Sequence, residues 1–333
     1  MTAAQRPSPD ARARAVIVRN PRARRAVATA ELRAAARVIE RAGWAVTIVD
    51  TERAGHAAEL ARAAVADGAD VVVACGGDGT VNEVINGIAG SAAALAVVPT
   101  GTANVWAREA FVSRDPRCAL ALIAHGRRVR VDLGELAIGD GAPRRFLLMC
   151  GAGIDAAVVR AVEARPRLKR ALGRGAFVIA GAACAARLRA TPATVARDGV
   201  TERHSLVLAV AGNTRLYGGV VQLAHAARID DGLLDLVTFS TRAPERALLA
   251  RRLRHVALLA AAARGGLAGR TVRGVDYRRA EAIVITPTGP LAVQADGEFV
   301  GTASPDAPLR LRALPGALTV VIAARANPLL GEL

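Results

Sequence analysis

Aromatic residues and lysine are nearly missing from this chain of 333 residues. Phe, Trp and Tyr make up 3% of the residues and hydrophobic residues 52%, so Ala, Val and Leu must build the core. Lys169 is the single lysine among 45 basic residues. The formal net charge of +16 favours anionic partners such as nucleotides, nucleic acids or acidic lipid surfaces. Because interleaved aromatic residues and a known nucleic-acid-binding module are absent, we expect no nucleic-acid partner.

Cysteine is also scarce, and its positions lack the spacing of a zinc or disulfide site. The four cysteines are Cys75, Cys118, Cys150 and Cys184. Without any C-x-x-C pair they fit a reducing compartment. Residues 1–13 are rich in Pro, Ser and Arg and contain no apolar segment, which predicts a disordered lead-in rather than a secretory signal. We therefore expect a cytoplasmic protein.

Several other features are missing. The uncharged run 84–107 is long enough to span a bilayer, but Pro99, Asn104 and several glycines break it, so we interpret it as soluble α/β structure. No G-x-x-x-x-G-K-[ST], H-E-x-x-H or nucleophile-elbow motif occurs. A G-x-G-x-x-A pattern begins at Gly151, but no acidic residue lies between Glu163 and Asp198 to bind a ribose, which weakens a dinucleotide site.

What is present centres on residues 71–88, VVVACGGDGTVNEVINGI. The valine run suits a buried strand, and the glycines after it allow a sharp turn close to a ligand. Thr80 and Glu83 match a capping box and predict that a helix starts there. A strand, a glycine turn and a helix N-terminus together favour a phosphate site. Asp78 within that turn indicates Mg²⁺ or proton transfer, because a bare carboxylate would repel phosphate.

The first half alternates strands and helices, which predicts a parallel sheet with a ligand at the carboxyl ends of its strands. Strands are predicted at 15–18, 44–49, 70–75 and 95–98, and helices at 31–41 and 56–65. The second half predicts a β-rich domain with strands at 129–133, 146–150, 206–210, 233–239 and 282–285, and helical stretches near 154–190 and 244–264. Two turn-like motifs there remain open: residues 229–235 are either an Asp-Gly turn or a cation site, and Asp296-Gly297-Glu298 is either a hairpin turn or functional.

An ordered set of motifs over residues 14–325 resembles the bacterial diacylglycerol kinase-like lipid kinases, relatives of sphingosine and ceramide kinases. The motifs are Asn20-Pro21, Gly76-Gly77-Asp78-Gly79-Thr80, Pro99-Thr100-Gly101-Thr102-Ala103-Asn104, Gly151-Ala152-Gly153-Ile154-Asp155-Ala156, Gly212-Asn213 with Gly218-Gly219, Asp230-Asp231-Gly232-Leu233-Leu234-Asp235 and Asp296-Gly297-Glu298. NAD kinases and phosphofructokinases share the glycine motif alone. The resemblance implies a Rossmann-like α/β domain at 14–130, similar to those enzymes, and a β-sandwich domain at 131–315. It also implies that residues 316–333 pack back on the first domain.

The resemblance further implies site residues and cofactors. Glu298 would be the general base, and Asp78 would serve Mg²⁺-ATP. The nucleotide would contact Thr51, Gly76, Gly77, Asp78, Gly79, Thr80, Val81, Asn82 and Thr102. A structural Mg²⁺ would be held by Asp231 with backbone carbonyls near Arg228 and Leu233. Asp132 and Lys169 are candidates for contacts in the active site or with substrate.

The chain departs from the family pattern at two places. Val105 follows Asn104 where many members carry Asp, and Arg22-Ala23-Arg24 replaces a Ser/Gly-rich turn. Diacylglycerol is the default acceptor, with phosphatidylglycerol, a sphingoid base, ceramide and a polyprenol as alternatives. A soluble NAD kinase-like enzyme and a basic nucleic-acid-binding protein are the less favoured alternative functions. The arginine-rich segment 160–189 suggests peripheral docking on an anionic membrane, or else a core helix with a basic rim. A homodimer is also an open expectation.

Overall fold

The structure is a computed structural model that describes residues 12–164, 190–217, 221–240, 274–324, 327, 329 and 330. In its first part strands and helices alternate, as the sequence predicts. The strands are β1 (Arg14–Arg19), β2 (Ala45–Asp50), β3 (Val71–Gly76) and β4 (Ala94–Pro99). The helices are α1 (Thr29–Glu40), α2 (His56–Ala66), α3 (Asp78–Ile88), α4 (Val105–Glu109) and α5 (Pro116–His125).

The first four strands form a parallel sheet in the order β2-β1-β3-β4. Both faces of β3 are buried, because its alternating side chains enter two different cores. Val72 packs in the core that contains residues of α2 and α3, whereas Val73 packs in the one that contains residues of α1 and α5. Since all four strands run the same way, the loops that follow them lie at one edge of the sheet.

The second part is mostly antiparallel and confirms the predicted β-rich domain. Its single described helix is α6 (Ile154–Glu163). Its strands are β5 (Arg127–Ile138), β6 (Arg144–Phe146), β7 (Met149–Gly153), β8 (Thr191–Arg197), β9 (Val200–Gly212), β10 (Leu216–Tyr217), β11 (Val221–Gln222), β12 (Leu234–Ser240), β13 (Val275–Ala280), β14 (Ala282–Pro287), β15 (Leu291–Ala295), β16 (Glu298–Ala303) and β17 (Leu309–Ile322). Apolar side chains from β7, β8, β9, β14 and β15 share one core.

Strand β17 connects the two parts of the fold. Along most of its length it pairs antiparallel with β5, and near its start it also pairs with β14. Near its end, Thr319 and Val320 pair in parallel with Ala94 and Leu95 of β4. The parallel sheet of the first part therefore continues directly into strands of the second part.

Two local predictions are wrong. The predicted strand 146–150 is interrupted between β6 and β7, at Leu147 and Leu148. The predicted capping box does not form either, since α3 begins at Asp78 after Gly77 and has no side-chain cap. Glu83 instead accepts hydrogen bonds from the N–H groups of Gly55 and Ala57, at 2.9 and 3.0 Å, and so caps α2.

The uncharged run 84–107 does divide into helix, strand and loop, as α3, β4 and α4 show. Within the described residues no helix combines the length and apolar character that a membrane span requires. The predicted helical stretch 154–190 is represented by α6, and its remainder up to residue 189 lies outside the described residues. The stretch 244–264 and Lys169 lie outside them as well.

Candidate active site

The glycine turn brings two loops of the parallel sheet into backbone contact. Gly77 is extended, with φ −93° and ψ −173°, and α3 starts one residue later. A Cβ atom on Gly101 would lie 2.5 Å from the Cα atom of Gly77. Only glycine permits this approach, and it places the loop after β4 beside the N-terminus of α3. The first N–H groups of α3 have no acceptor within the helix and make this end attractive to anions.

Asp78 points from the start of α3 toward a second helix. Its Oδ1 atom accepts a hydrogen bond of 2.7 Å from the N–H of Val105, the first residue of α4. Burial raises the pKa of this carboxyl, and the hydrogen bond from Val105 opposes that rise. Asp78 therefore ties the glycine turn to the loop after β4, while its carboxylate remains at the N-terminus of α3.

A cavity of about 240 Å³ opens beside this helix end. Its lining residues are Asn20, Arg22, Thr51, Glu52, Arg53, Ala54, Ala57, Gly79, Thr80, Glu83 and Glu298. Asn20 joins two of the loops, because its Nδ2 atom donates to Oγ1 of Thr80 at 3.1 Å. The loops after β1 and β2 and the first turns of α3 thus share this cavity with Glu298 from the second part of the chain.

Glu298 reaches the cavity from a tight hairpin. Asp296 and Gly297 both have positive φ, 48° and 86°, as a two-residue type I′ turn between β15 and β16 requires. Glu298 follows as the first residue of β16. A Cβ atom on Gly79 would lie 2.5 Å from Oε1 of Glu298, so the carboxylate sits directly against the first turn of α3.

The Asp296 carboxylate anchors this hairpin, a role that the sequence motif Asp296-Gly297-Glu298 does not predict. Its carboxylate accepts hydrogen bonds of 2.9–3.0 Å from the N–H groups of Leu147, Leu148 and Met149. A fourth comes from Nδ2 of Asn82 at 2.8 Å. Burial raises the pKa of Asp296, and these donors oppose that rise. The same bonds explain the gap between β6 and β7, because Asp296 uses N–H groups that a continuous strand would have used.

Arg144 completes the arrangement and was also missed from the sequence. Its Nη2 atom lies 2.5 Å from Oε2 of Glu298 and 2.8 Å from Oδ1 of Asn82. Asn82 in turn binds Asp296. Arg144 lies in an arginine pair on a short strand, and nothing in that local sequence indicates a contact with Glu298, which is 154 residues away.

A second cavity, of about 600 Å³, contains the other acidic candidates. Its lining includes Asp132, Asp230 and Asp231. Both oxygens of Asp132 accept backbone N–H groups, from Gly232 at 2.6 Å and from Gly316 at 2.7 Å. The structure therefore places Asp132 beside Asp231 rather than in the lining of the cavity that contains Glu298.

Asp231 already has a cationic partner in Arg279, and its Oδ1 atom accepts the N–H of Leu233 at 3.1 Å. No group of three or more His, Cys, Asp or Glu side chains in the described part of the chain is arranged to bind a metal. The candidate metal ligands here, carboxylate and backbone carbonyl groups, nevertheless all bind through oxygen, which suits Mg²⁺. Mg²⁺ commonly uses one or two carboxylates together with phosphates. Asp78 and the Asp231 loop are compatible with that chemistry.

The remaining sequence-predicted residues are dispersed around these cavities. Thr51 lines the smaller cavity and is buried, whereas Val81 packs in the core and donates its N–H to Gly77. Gly76 ends β3 and Gly77 precedes α3, and neither they nor Asp78 belong to the lining of this cavity. Thr102 is exposed in the neighbouring loop and is absent from the cavity lining.

The motif around Gly151 builds a buried polar cluster rather than a dinucleotide loop. Asp155 accepts a hydrogen bond of 3.0 Å from Nε2 of Gln294, and a Cβ atom on Gly151 would collide with its carboxylate. Burial raises the pKa of Asp155 to about 6. The carboxylate thus helps to join α6 to β15, the strand that leads into the hairpin.

Comparisons with known proteins agree over both parts of the chain. The family model described as "Diacylglycerol kinase catalytic domain" matches residues 14–136, and the one described as "YegS C-terminal NAD kinase beta sandwich-like domain" matches residues 149–322. A diacylglycerol kinase of Staphylococcus aureus strain NCTC 8325 / PS 47 is 30% identical over 292 residues, which is 87% of each chain. Relatives from other strains, such as COL, match equally.

Solved structures show the same fold. A crystal structure of a diacylglycerol kinase from Bacillus anthracis str. Sterne has a TM-score of 0.66 and 21% identity, and the match covers 93% of this chain and 97% of the other. A second structure from that organism, with the same coverage, has a TM-score of 0.71 and 22% identity. At these identities the likeness concerns the fold alone.

Proposed function

Because this chain belongs to the bacterial diacylglycerol kinase family of lipid kinases, we propose that it transfers the γ-phosphoryl group of ATP to the hydroxyl group of diacylglycerol, with Mg²⁺ as cofactor. Membership makes the chain a kinase enzyme. What we propose beyond this is the identity of the acceptor, of the nucleotide and of the metal.

The observation that carries the proposal is the position of Glu298 against Gly79. A carboxylate there lies between a helix end that favours phosphate and an open cavity. An alcohol is a weak nucleophile, so phosphoryl transfer benefits from a carboxylate that accepts its proton. Such a base close to a phosphate site distinguishes a kinase from a protein that only binds nucleotides.

The chain's own groups divide the work between them. N–H groups at the start of α3 would bind the phosphates, and Thr51 would lie beside the nucleotide. Glu298 would take the proton of the lipid hydroxyl while that oxygen forms its bond to the γ-phosphorus. The bond from that phosphorus to ADP breaks, and ADP leaves with the bonding electrons.

Asp78 would hold Mg²⁺ with the nucleotide, and the Asp231 loop, with carbonyl groups of Arg228 and Leu233, would hold a second ion. Bound Mg²⁺ neutralises charge on the phosphates and so lowers the barrier to transfer. Occupying the second site requires Asp231 to exchange Arg279 for the ion, because the two are paired. The net charge of +16 further supports a reaction at an anionic membrane surface to which the enzyme binds peripherally.

The test is transfer of labelled phosphate from ATP, with and without Mg²⁺, to diacylglycerol, phosphatidylglycerol, sphingosine, ceramide, undecaprenol and NAD⁺. We expect label on diacylglycerol that disappears with EDTA and with Asp78→Ala. Arg312→Ala is the control, since Arg312 is exposed and its 2.7 Å ion pair with Glu135 involves no residue of the site.

Label on another lipid would replace the acceptor but keep the lipid kinase. Label on NAD⁺ alone would favour the second candidate, a soluble NAD kinase-like enzyme, to which the NAD kinase-like description of the C-terminal match points. Absence of label from every acceptor would contradict the proposal.

A further inference from the structure

Arg144 is held in place by the backbone of its own strand. Its neighbour Arg145 donates its N–H to Oδ1 of Asn86 at 2.9 Å, and its carbonyl oxygen accepts from Nδ2 of Asn86 at 2.9 Å. The same carbonyl accepts from Nδ2 of Asn82 at 3.2 Å. Arg144 itself pairs with Leu136 in the β5–β6 hairpin. Its backbone therefore has a fixed position relative to α3.

The Arg144 side chain is fixed at its other end as well. Its Nη2 atom contacts one oxygen of Asn82, and Asn82 binds the buried carboxylate of Asp296. The hairpin that Asp296 anchors is the one that contains Glu298. Arg144 thus closes a ring of contacts. Asn82 on α3 binds Asp296, the hairpin continues along the chain to Glu298, and Arg144 links Glu298 back to Asn82.

We propose that Arg144 is a positioning residue that holds the Glu298 carboxylate above the first turn of α3, in the orientation needed to accept the acceptor's proton. This inference rests on the proposed kinase function. The Glu298 side chain is 35% exposed, so without a partner it could turn toward solvent. Phosphate groups at α3 would also repel it, and the guanidinium charge of Arg144 offsets that repulsion.

Arginine suits this task better than lysine. The Nη2 atom of Arg144 carries two N–H donors in the fixed plane of the guanidinium, so it can donate to the carboxylate of Glu298 and to the amide oxygen of Asn82 together. An ammonium group supplies the charge but not the planar geometry. Arg144 touches Glu298 and Asn82, and on this proposal it acts on the reaction through Glu298 rather than through the phosphates.

The kinetic test compares Arg144→Ala and Arg144→Lys with wild type and with the control Arg312→Ala. We expect Arg144→Ala to lower kcat about 10- to 100-fold, which is less than the roughly 10²- to 10⁴-fold expected when the general base itself is lost. The KM for ATP should change less than about 3-fold, because nucleotide contacts remain. Arg144→Lys should recover part of kcat, and added guanidinium ions should partly restore Arg144→Ala alone.

A rise in the KM for ATP at unchanged kcat would overturn the inference, since it would assign Arg144 to nucleotide binding. So would a double variant Arg144→Ala, Glu298→Gln that is about 10-fold slower than Glu298→Gln alone, because an arginine that acts through Glu298 has no further effect once the base is gone.

A crystal structure of Arg144→Ala supplies a readout that needs no activity. The Glu298 carboxylate should leave its position against Gly79 while Asp296 and the hairpin stay in place. If it remains there, the inference is wrong even if the wild type is a kinase. If wild-type protein labels no acceptor but Glu298 moves in the variant, the proposed function fails and the positioning role stands.

Discussion

The two parts of the chain contribute different kinds of chemical groups to one cleft. Apart from the Asp78 carboxylate, the parallel part contributes backbone: the first N–H groups of α3, which follow a glycine turn with no room for a Cβ atom. The antiparallel part contributes the charged side chains of Glu298 and Arg144. Backbone groups tolerate replacement of the side chains around them, whereas a side chain supplies a function that a single substitution can remove. We therefore expect unequal sensitivity to mutation on the two sides.

Among variants that keep Asp78, Glu298→Gln should produce the largest effect. The amide keeps the size of the side chain but cannot take a proton, so kcat should fall by about 10²- to 10⁴-fold. The measurement is label transfer to lipid, beside a thermal unfolding scan that should match wild type. Turnover at the wild-type rate would remove Glu298 from the reaction.

Asp296→Asn should come next, through stability rather than chemistry. The carboxylate accepts four N–H donors, two on each oxygen, and an amide offers one oxygen and adds a donor. Two buried donors then lose their acceptor, which should lower the free energy of unfolding by roughly 2–6 kcal/mol.

Urea unfolding measures that loss, and Asp306→Asn is the control, because Asp306 is exposed in a loop of the same part of the chain. Equal unfolding free energies for wild type and Asp296→Asn would show that the hairpin does not depend on this anchor.

Two carboxyl groups, one in each part of the chain, should also respond to pH in opposite ways. Burial raises the pKa of Asp155 to about 6 from an ordinary value of 3.8. Between those values the unfolded chain loses the proton and the folded chain keeps it, so Asp155 destabilises the fold as pH rises from about 4 to 6. Above about pH 6 this effect lowers the free energy of unfolding by at most about 3 kcal/mol.

Asp50 in the parallel part has the opposite sign. Its hydrogen bonds with the Arg19 guanidinium lower the pKa of this carboxyl, so its contribution is present at neutral pH and is lost as pH falls through the folded value. Unfolding free energies of Asp155→Asn and Asp50→Asn, each compared with wild type from about pH 2.5 to 7.5, should therefore diverge in opposite directions, Asp155→Asn above about pH 4 and Asp50→Asn below it. Parallel curves would contradict this assignment.

The same contrast explains what the sequence could predict. The strand, glycine turn and helix of residues 71–88 are local features, and the alternating pattern of the first half places them at one edge of a sheet. Glu298 was predicted through a family motif rather than through its surroundings. Arg144 and the anchoring role of Asp296 were missed because their contacts join residues far apart in the chain, 154 and 214 positions in two cases.

Local patterns also misled where a distant contact replaced a local one. Thr80 and Glu83 have the spacing of a capping box, but Glu83 caps the neighbouring helix α2 and Thr80 accepts from Asn20. A spacing rule cannot detect that a side chain has a better partner in another element.

Thr80→Ala should have the smallest effect and tests the backbone side of the comparison most directly. The substitution removes the hydroxyl that accepts the 3.1 Å hydrogen bond from Asn20 but keeps the N–H of residue 80. If that N–H is the group that binds phosphate, the KM for ATP should rise less than about 5-fold, since the part-buried hydrogen bond that is lost contributes roughly 1 kcal/mol or less. Thr80→Ser, which keeps the hydroxyl, should match wild type. Suppose instead that Thr80→Ala lowered kcat/KM for ATP as much as Glu298→Gln does, while Thr80→Ser stayed fully active. The hydroxyl itself would then bind the nucleotide, and the division between a backbone side and a side-chain side would no longer hold.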